Sequence, residues 1–512
     1  MLTFKCSHKE YQGFVQEFLR QYYIQNNRYI TVLIRSDLVI KLWISDLTKI
    51  VTLLKGQYSS SNKGAPPKDP VALLRSLLLM SFSGETSISN WVVTLKSNPF
   101  YAILSGFLPA CFHPTGSEEF KADSIPGVGT FYDFMDRLIV ADFACNKPKL
   151  KKPKRKPSKK QKKNVKMKSS KPGVVARIVK RILKQKGSKL PNKPETLLNK
   201  VLKDLFVMPS ASMGLLSDTQ KLNIAGDGTT MPSNASHYGK KVCDCKLKPG
   251  KHCDCPRLFS DPTASFGWDS FKEQYFYGHS FHGFTASDSF YSLPIHIKCI
   301  TGKRHDSVTG CYHLKELIDS YPEFKFHSAA FDSAYDAVPF YNLLDSYSIA
   351  PIIKLNSRNS KPEVKEKLVE LDCNGIPHCR KLGHKLRNWG LIKKSFRRKW
   401  LFPVQCDSCT KCDVKSSKSI YLKTDNHPRF FLPILRDSLL FRYLYKRRST
   451  TERAWDRIKN DFNAAKAVTI SKSRRIVKVF LGAFCCFIDT WACESKLTIL
   501  DIFPELEDVM AA

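Results

Sequence analysis

The stretch YLYKRRSTTERAWDRIKNDFNAAKAV at residues 443–468 combines aromatic, basic and acidic residues at regular intervals. Its polar residues with helical spacing are Tyr445, Arg448, Glu452 and Lys459. On an α-helix, residues at these intervals fall within an arc of roughly 60°. Ala454, Ile458 and Ala465 lie on the opposite face and can pack inward. The pattern therefore predicts one helix with its back on a core and its front towards a polyanion with a metal ion beside it.

The overall charge of the chain indicates the same kind of partner. Its 512 residues include 83 Lys and Arg against 46 Asp and Glu, which gives a net charge of +37. A chain this basic is expected to bind nucleic acid, because contact with phosphates is the most available way to neutralise it. An anionic membrane is the alternative, but no apolar run reaches the roughly 18 residues that a membrane span requires. We therefore expect a nucleic-acid partner and no membrane partner.

Changes in composition divide the chain into five segments. Apolar residues with helical spacing, and the helix start Asp69-Pro70, predict a helical domain over the first of them. Strand-like runs predict an α/β core, interrupted by a segment rich in Cys, Lys and Trp that is typical of an insertion. The predicted segments are a helical domain at 1–146, a basic linker at 147–204, the first part of the core at 205–360, the insertion at 361–440 and the second part of the core at 441–512.

Four runs in the core have the composition and alternation of strands. They are KLNIAGDGTTM at 221–231, QYFYGHSFHGFTA at 274–286, LPIHIKCI at 293–300 and FKFHSAAFDSAYDA at 324–337, the last running into a helix after Asp332. The apolar segment VKVFLGAFCCFIDTWAC at 477–493 is expected to be a buried core helix, too short and too mixed for a membrane span.

The basic linker has two parts with different patterns. Residues 147–173, KPKLKKPKRKPSKKQKKNVKMKSSKPG, lack apolar periodicity and are expected to be solvated and flexible. Residues 174–187, VVARIVKRILKQKG, have helical spacing and are expected to fold on DNA. A direct contact with phosphates is the first interpretation of this segment, and a simple spacer is the alternative.

Three acidic residues are predicted to converge at one edge of the sheet. Asp227 and Asp332 follow apolar runs, and Glu452 lies on the polar helix face. Clustered carboxylates need a divalent cation, and their hard oxygen atoms favour Mg²⁺ or Mn²⁺. Each residue also has a simpler interpretation: Asp227 as a turn residue, Asp332 as a helix cap, and Glu452 as half of an ion pair with Arg448 or Lys459.

These residues resemble a known family. The triad Asp227, Asp332 and Glu452, together with the Y-x2-R-x3-E-x6-K spacing, resembles the insertion-sequence transposases of the DDE class that carry the Y-R-E-K signature. The contexts AGDGTT, FDSAYDA and TTERAWDRIKNDF are similar to the three catalytic blocks of that family. The resemblance covers about residues 215–505 well, and GTFYDFMDRL in the N-terminal segment is similar to the leading domain of the same enzymes.

The resemblance implies a fold, an activity and a set of roles. The fold is a ribonuclease-H-like mixed sheet flanked by helices, with an insertion between the second aspartate and the glutamate. The activity is metal-dependent cleavage at inverted-repeat ends and strand transfer into target DNA. Asp227, Asp332 and Glu452 would hold two Mg²⁺ or Mn²⁺ ions, Tyr445 and Arg448 would bind phosphates near the end, and Lys459 would contact the terminal strand.

Partners and location follow from the same resemblance. They are double-stranded DNA at element ends and target, with the N-terminal domain binding ends, and a homodimer or larger assembly on DNA. The protein is expected in a prokaryotic cytoplasm, associated with the nucleoid, since it also lacks the pattern of a secretory signal. The alternatives are a catalytically inactive DNA-binding descendant and a structure-selective nuclease of the same fold.

Cysteines and three other residues leave further possibilities open. Spacing of the C-x2-C type predicts a structural zinc ion in the insertion, with Cys379, Cys406, Cys409 and Cys412 as its ligands. A second group, Cys243, Cys245, Cys253 and Cys255 with His252, has the less usual C-x-C spacing. Reduced thiols without metal are the alternative for both groups. His305 is expected to be structural, with a catalytic acid/base pair of His305 and Asp306 as the alternative. Trp389 and Trp400 are expected to pack the insertion instead of stacking on a flipped base.

Overall fold

The computed structural model describes most of the chain. The described residues are 2, 6–61, 66–108, 125–140, 148–152, 172–245, 253, 255–270, 272–357, 367–395, 397–408, 414–423, 428–466 and 470–507. Cys409, Cys412 and His252, and most of the sequence predicted to be a flexible linker, lie outside the described residues.

Helices and strands are distributed along the chain as follows. The α-helices are α1 His8–Leu19, α2 Ile30–Ile34, α3 Ser36–Trp43, α4 Ile50–Leu54, α5 Pro70–Phe82, α6 Ile88–Ser97, α7 Pro99–Ser105, α8 Val128–Arg137, α9 Val174–Lys184, α10 Thr196–Val201, α11 Met208–Ser212, α12 Asp306–Ser320, α13 Val338–Ser346, α14 Leu439–Lys446, α15 Ser449–Asp456, α16 Lys472–Ser495 and α17 Ile499–Ile502. The strands are β1 Lys149–Lys151, β2 Leu222–Pro232, β3 Lys240–Lys241, β4 Arg257–Phe259, β5 Ser265–Asp269, β6 Gln274–Ala286, β7 Pro294–Thr301, β8 Phe326–Phe331, β9 Ala350–Ile353, β10 Val369–Leu371, β11 Pro377–Cys379, β12 Arg387–Ile392, β13 Arg397–Leu401 and β14 Ser419–Lys423.

The central sheet is mixed. Its strand order is β5-β6-β2-β8-β9, with β7 paired along β6. Strands β5, β6, β7 and β2 pair antiparallel, whereas β2, β8 and β9 pair parallel. Helix α12 contacts β2 and β6, and α15 also contacts β2 and β6. The predicted mixed sheet flanked by helices is confirmed, as are the four predicted core strands.

The N-terminal segment is helical, as predicted. Asp69 caps α5 by accepting a hydrogen bond from the backbone N–H of Val71 at 3.0 Å, and Pro70 occupies the first turn. A proline there loses no helical hydrogen bond, because the first N–H groups of a helix have no partner within it. These helices share one apolar core with the sheet, since α5, α3 and α8 all pack on α16.

Helix α16 is the centre of that core. By length and composition it could cross a membrane, but 83% of its most apolar 18-residue window is buried in the fold. The prediction of a buried core helix is therefore confirmed. The expectation that the segment is too short for a span is wrong, because the helix extends over 24 residues.

The basic segment is partly folded on the protein itself. Strand β1 pairs antiparallel with β4. Helix α9 buries Ile178, Val179 and Ile182 and contacts α12 and α13. The expectation that this helix folds on DNA is wrong, because its apolar stripe already has a protein surface to cover it.

The insertion forms a separate small core, which its composition did not predict. Two small sheets, β10-β11 and β12-β13-β14, enclose buried residues that do not join the main core. Trp400 is buried there, which confirms its packing role, whereas Trp389 is 67% exposed and does not pack the insertion. Lys399 lies over the Trp389 ring at 5.3 Å.

Candidate active site

Parallel pairing brings the two aspartates to one place in the sheet. In the register between β2 and β8, Ala225 is opposite Ala330. Asp227 and Asp332 each follow two residues later, so the register places them side by side at the end of β8. Asp332 also caps a short 3₁₀ helix, accepting from the Ala334 N–H at 3.0 Å. The capping interpretation of Asp332 is thus correct and is compatible with a role in the site.

Asp227 is not a turn residue. It lies in the middle of β2, which continues to Pro232 and pairs with β6 along the same length. The prediction that Asp227 lies where a strand ends is therefore wrong. Its neighbours must be glycines because a Cβ at 226 would lie 2.5 Å from Phe331, and one at 228 only 2.4 Å from the Asp306 carboxylate. The Gly-Asp-Gly sequence therefore reflects close packing on the face of β2 opposite the Asp227 side chain.

Glu452 is placed by a helix that is fixed to the sheet. The Thr285 hydroxyl on β6 forms hydrogen bonds with Thr450 at 3.0 Å and Thr451 at 2.8 Å. All three threonines are buried. In addition, the Trp455 indole N–H donates to the backbone carbonyl of Asp227 at 3.3 Å. The residues before Glu452 thus tie α15 to β6, and Trp455 after it ties α15 to β2, the strand that carries Asp227.

The signature residues do not lie on one regular helix, which corrects the prediction. Helix α14 ends at Lys446, α15 begins at Ser449, and Arg457–Asp461 is π-helical. At the break, the Arg447 carbonyl accepts both the Thr450 hydroxyl at 2.8 Å and the Thr450 backbone N–H at 3.0 Å. Even so, Ala454 and Ile458 are buried on the back of the segment, as predicted.

Arg448 connects two of the acids. Its guanidinium is 2.6 Å from a Glu452 carboxylate oxygen and 3.7 Å from one of Asp227. The ion-pair interpretation of Glu452 is therefore also correct. The positively charged guanidinium of Arg448 therefore lies between the carboxylates of Asp227 and Glu452, where the sequence predicts positive charge.

Burial raises the pKa of both aspartates. Burial is the main cause that raises the pKa of Asp227 to about 7; the charges of Asp332 and Asp306 raise it further, while the Gly228 N–H and Arg448 oppose them. Burial likewise raises the pKa of Asp332, with Glu452 adding to it. The carboxylates are thus desolvated and repel one another, which is the condition that a bound cation relieves.

Asp306 is a neighbour of the site that the sequence did not single out for this role. It is the first residue of α12, and burial and the charge of Asp332 raise its pKa. The residue before it, His305, caps α12 through a 3.4 Å hydrogen bond from the Ser307 N–H, so its predicted structural role is confirmed. The Gly-Asp-Gly sequence could have indicated this neighbour, because its second glycine, Gly228, leaves room for the close approach of Asp306.

A chain of buried histidines lies behind the site and was not predicted. Tyr335 bonds His282 at 2.7 Å, His282 bonds His313 at 2.7 Å, and His313 bonds His296 at 2.8 Å. Burial lowers the pKa of His282 and of His296 to about 3, so the rings are neutral. A neutral ring has one donor and one acceptor nitrogen, and such a chain satisfies both at each step.

Tyr445 and Lys459 border the acids. Tyr445 lies next to Arg448, and the Lys354 ammonium is 4.5 Å from the centre of its ring. The Lys459 ammonium donates to the hydroxyl of Thr229, two residues beyond Asp227 on β2, at 3.1 Å. Because alternate residues of a strand share a face, Lys459 lies on the same face of β2 as Asp227.

The zinc site predicted in the insertion stays a prediction, because Cys409 and Cys412 lie outside the described residues. Of the four predicted zinc ligands in the insertion, Cys379 and Cys406 are described, and both are buried. The Cys406 sulfur is 3.7 Å from His384 Nδ1, a residue that was not predicted as a neighbour. Within the described residues, the compact group of possible metal ligands is Cys243, Cys245, Cys253 and Cys255.

The donor set of the acid cluster fits a divalent cation. Its groups are carboxylates, which suit Mg²⁺ or Mn²⁺ better than softer metals. Their raised pKa values show that negative charge is poorly solvated there. Two adjacent aspartates on a mixed sheet, with a glutamate on a helix docked across it, form the arrangement that the DDE resemblance implies.

The family assignment agrees with this arrangement. Residues 224–488, just over half of the chain, match the family model described as "Transposase DDE domain". The chain belongs to this family and is a DNA transposase. The family acts on DNA and generally uses a divalent metal ion.

Solved structures with partial similarity are also transposases. The piggyBac transposase, in a synaptic complex with hairpin DNA, is 12% identical with a TM-score of 0.33, and the alignment covers 89% of this chain and 75% of that one. The Mos1 transposase, in a paired-end complex with the left transposon end, is 11% identical with a TM-score of 0.16, covering 56% and 78%. No curated protein matches the sequence significantly.

Proposed function

We propose that this transposase cleaves DNA at the inverted-repeat ends of an element and joins the freed 3′-hydroxyl to target DNA. The observation that supports this most is the docking of α15, which places Glu452 and Arg448 against Asp227 and its neighbour Asp332. Asp227, Asp332 and Glu452 would hold two Mg²⁺ or Mn²⁺ ions. When bound, such ions activate an attacking hydroxyl and stabilise the leaving oxygen of a phosphodiester.

The residues of the chain divide the remaining work. Arg448 pairs with Asp227 and Glu452 when no metal neutralises them. Once cations compensate those charges, the guanidinium is free to bind a DNA phosphate through its planar fork. Tyr445 would support that contact from the adjoining helix, and Lys459, beside Thr229, would contact the terminal strand. Each side chain thus positions the phosphodiester, and the carboxylates carry the charge that selects the metal.

A basic groove next to the site gives the DNA a path. A cavity of about 980 Å³ lies between α9 and the β7–α12 connection, lined by Arg177, Arg181, Lys193, Lys303 and Arg304 among others. Glu195 and Glu316 also line it but both lie near Lys298, at 3.9 and 2.5 Å. Within the described part of the chain, none of the five basic residues forms an ion pair. Arg304 lies two residues before Asp306, the first residue of α12, so the groove borders the helix whose N-terminus adjoins β2.

The cleavage test uses a supercoiled plasmid that carries the gene with its genomic flanks. We expect nicking at the element ends with Mg²⁺ or Mn²⁺ and none with a chelator. Asp227→Asn, Asp332→Asn and Glu452→Gln should each abolish cleavage but retain DNA binding, whereas Asp345→Asn, an exposed acid on α13, should cleave normally. Bound but uncut DNA under every metal condition would indicate an inactive descendant, and cutting without joining would indicate a nuclease.

The groove has its own test. Arg177→Glu combined with Arg181→Glu should weaken binding to duplex DNA and reduce its salt dependence, because each lost phosphate contact removes about 0.9 from the log–log slope. Lys221→Glu combined with Lys325→Glu changes the charge equally on exposed residues just before β2 and β8 and should bind like the wild type. Equal losses of DNA affinity in both double variants would mean that the groove contributes only through the general charge of the protein.

Joining two ends also requires more than one copy of the site. We infer that the protein acts as a homodimer or larger assembly on DNA, with each protomer contributing its own acid cluster. Mass photometry of the protein with and without end-containing DNA tests this, and a one-to-one complex that still joins both ends would refute it.

A further inference from the structure

Four cysteines lie close together outside the acid cluster, in the segment between β3 and β4. This segment contains the sequence VCDCKLKPGKHCDCPR at 242–257. The sulfur atoms of Cys243, Cys245, Cys253 and Cys255 all lie within 4.8 Å of one another. The closest pairs are Cys243 with Cys253 at 3.4 Å and Cys245 with Cys255 at 3.2 Å.

These separations match a tetrahedral metal site. A zinc ion about 2.3 Å from each of four sulfurs holds them roughly 3.8 Å apart. A disulfide would require a sulfur–sulfur distance of about 2.0 Å. Every cysteine in the described ranges is a free thiol, and the four sulfurs form one group instead of two separate pairs. Soft thiolate ligands select zinc over the hard cations that suit the acid cluster.

The surroundings compensate the charge of such a site. Four thiolates around Zn²⁺ carry a net charge of −2. The adjoining strands and loop carry Lys240, Lys241 and Arg257, and Lys241 donates to the Cys245 carbonyl at 3.3 Å. A basic hairpin is therefore well suited to hold an anionic metal centre.

The hairpin also lacks a core that would hold it without a metal. Every residue of strands β1 and β3 is exposed, and in this small sheet only Phe259 at the end of β4 is buried. Small elements without an apolar core generally need a disulfide or a metal for stability. The middle strand, β4, pairs with β3 on one side and β1 on the other.

We propose that Cys243, Cys245, Cys253 and Cys255 bind one structural zinc ion that closes the β3–β4 hairpin and thereby anchors strand β1, where the basic segment begins. The zinc site is independent of the proposed transposition chemistry. Its effect on DNA rests on the proposed function, because it acts by fixing the point from which the basic segment leaves the core.

The metal content of the full-length protein tests the first part. Cys245→Ser combined with Cys255→Ser should contain one molar equivalent less zinc than the wild type, by elemental analysis after dialysis against a weak chelator. Cys493→Ser, an exposed cysteine on α16, is the matched control and should retain the wild-type content. Replacing zinc with Co²⁺ should give the visible absorption of a tetrathiolate site, and that absorption should disappear in the double variant alone.

Two results would overturn the zinc site. One is equal zinc content in the double variant and the control. The other is a pair of disulfides, Cys243–Cys253 and Cys245–Cys255, found by mass spectrometry of the native protein in place of metal. Neither measurement involves DNA, so failure here is distinct from failure of the proposed function.

Hydrogen exchange tests the second part. The amides of β1 and β4 should exchange faster in the double variant than in the wild type and in Cys493→Ser, because the strands open when the hairpin is released. Duplex DNA binding should weaken as well. Unchanged exchange of β1 in a variant that has lost its zinc would refute the anchoring role.

Discussion

Replacing Thr285 with Val removes the hydroxyl that fixes the helix of Glu452 to the sheet. Thr285 forms two buried hydrogen bonds, with Thr450 and with Thr451. Thr450 keeps a second partner, the Arg447 carbonyl, whereas Thr285 is the partner of the Thr451 hydroxyl. Val has nearly the same shape as Thr, so the variant leaves a buried hydroxyl without its hydrogen bond and little else changed.

The expected loss of stability follows from the number of hydrogen bonds that the substitution removes. A buried polar group deprived of its partner costs about 1–3 kcal/mol, so Thr285→Val should lower the free energy of unfolding by roughly 2 kcal/mol. Adding Thr451→Val removes the orphaned hydroxyl, and replacing both partners with apolar groups is nearly neutral. The double variant should therefore be at least as stable as Thr285→Val, despite carrying an additional substitution.

Denaturant unfolding of the two single variants and the double variant measures this coupling. The cleavage rates of the variants should follow the same order as their stabilities, because a displacement of about 1 Å in the position of Glu452 can reduce the rate on the order of a hundredfold. Thr94→Val on α6 provides a control, since its exposed hydroxyl bonds only locally to the Asn90 carbonyl. Strictly additive costs in the double variant would refute the three-hydroxyl contact as the support of α15.

Three further predictions concern other parts of the site. His282 and His296 have a pKa of about 3 in the fold, against roughly 6.5 in the unfolded chain. The stability that they contribute is therefore present above about pH 6.5. It is lost as the pH falls towards 3, by about 1.4 kcal/mol per histidine and pH unit. Unfolding at pH 7 and pH 5 measures this, and replacement of the histidines by Gln should reduce the pH dependence while the exposed His327→Gln should not. Arg448→Ala should still bind Mn²⁺ by calorimetry but lose end-specific complexes and strand transfer, and Arg448→Lys should restore little, because an ammonium lacks the planar fork; normal transfer by the Ala variant would contradict this role. Gly228→Ala should cost about 1–3 kcal/mol in unfolding free energy, because the new Cβ lies 2.4 Å from Asp306, whereas Gly13→Ala on α1, with nothing within 4 Å, should gain about 0.5–1 kcal/mol.

Patterns with a regular period were the ones that predicted structure well. The alternation in residues 274–286 and 293–300 predicted β6 and β7, and Asp69-Pro70 predicted the start of α5. These features depend on neighbouring residues alone. The family model gives independent support for the core, since its match extends from β2 to α16.

Features that depend on tertiary contacts were the ones that sequence patterns missed. The break between α14 and α15 lies beside the contact of Thr450 and Thr451 with Thr285 of β6, and the placement of Asp227 within a strand depends on its pairing with β6. Helix α9 was expected to need DNA because no sequence pattern shows the surface of α12 and α13 that covers it. The proximity of Asp306 to Gly228 likewise joins residues distant in sequence.

The shared core around α16 limits how this protein can be re-engineered. Helices α3, α5 and α8 pack on α16, and α16 also packs on β7, so the N-terminal helices and the sheet stabilise each other. Exchanging residues 1–146 for an unrelated domain would expose the apolar surface of α16 and favour aggregation. The insertion, in contrast, has its own core and is the part that could be exchanged as a unit. Changes to the N-terminal helices must therefore be made by substitutions on their outer surface.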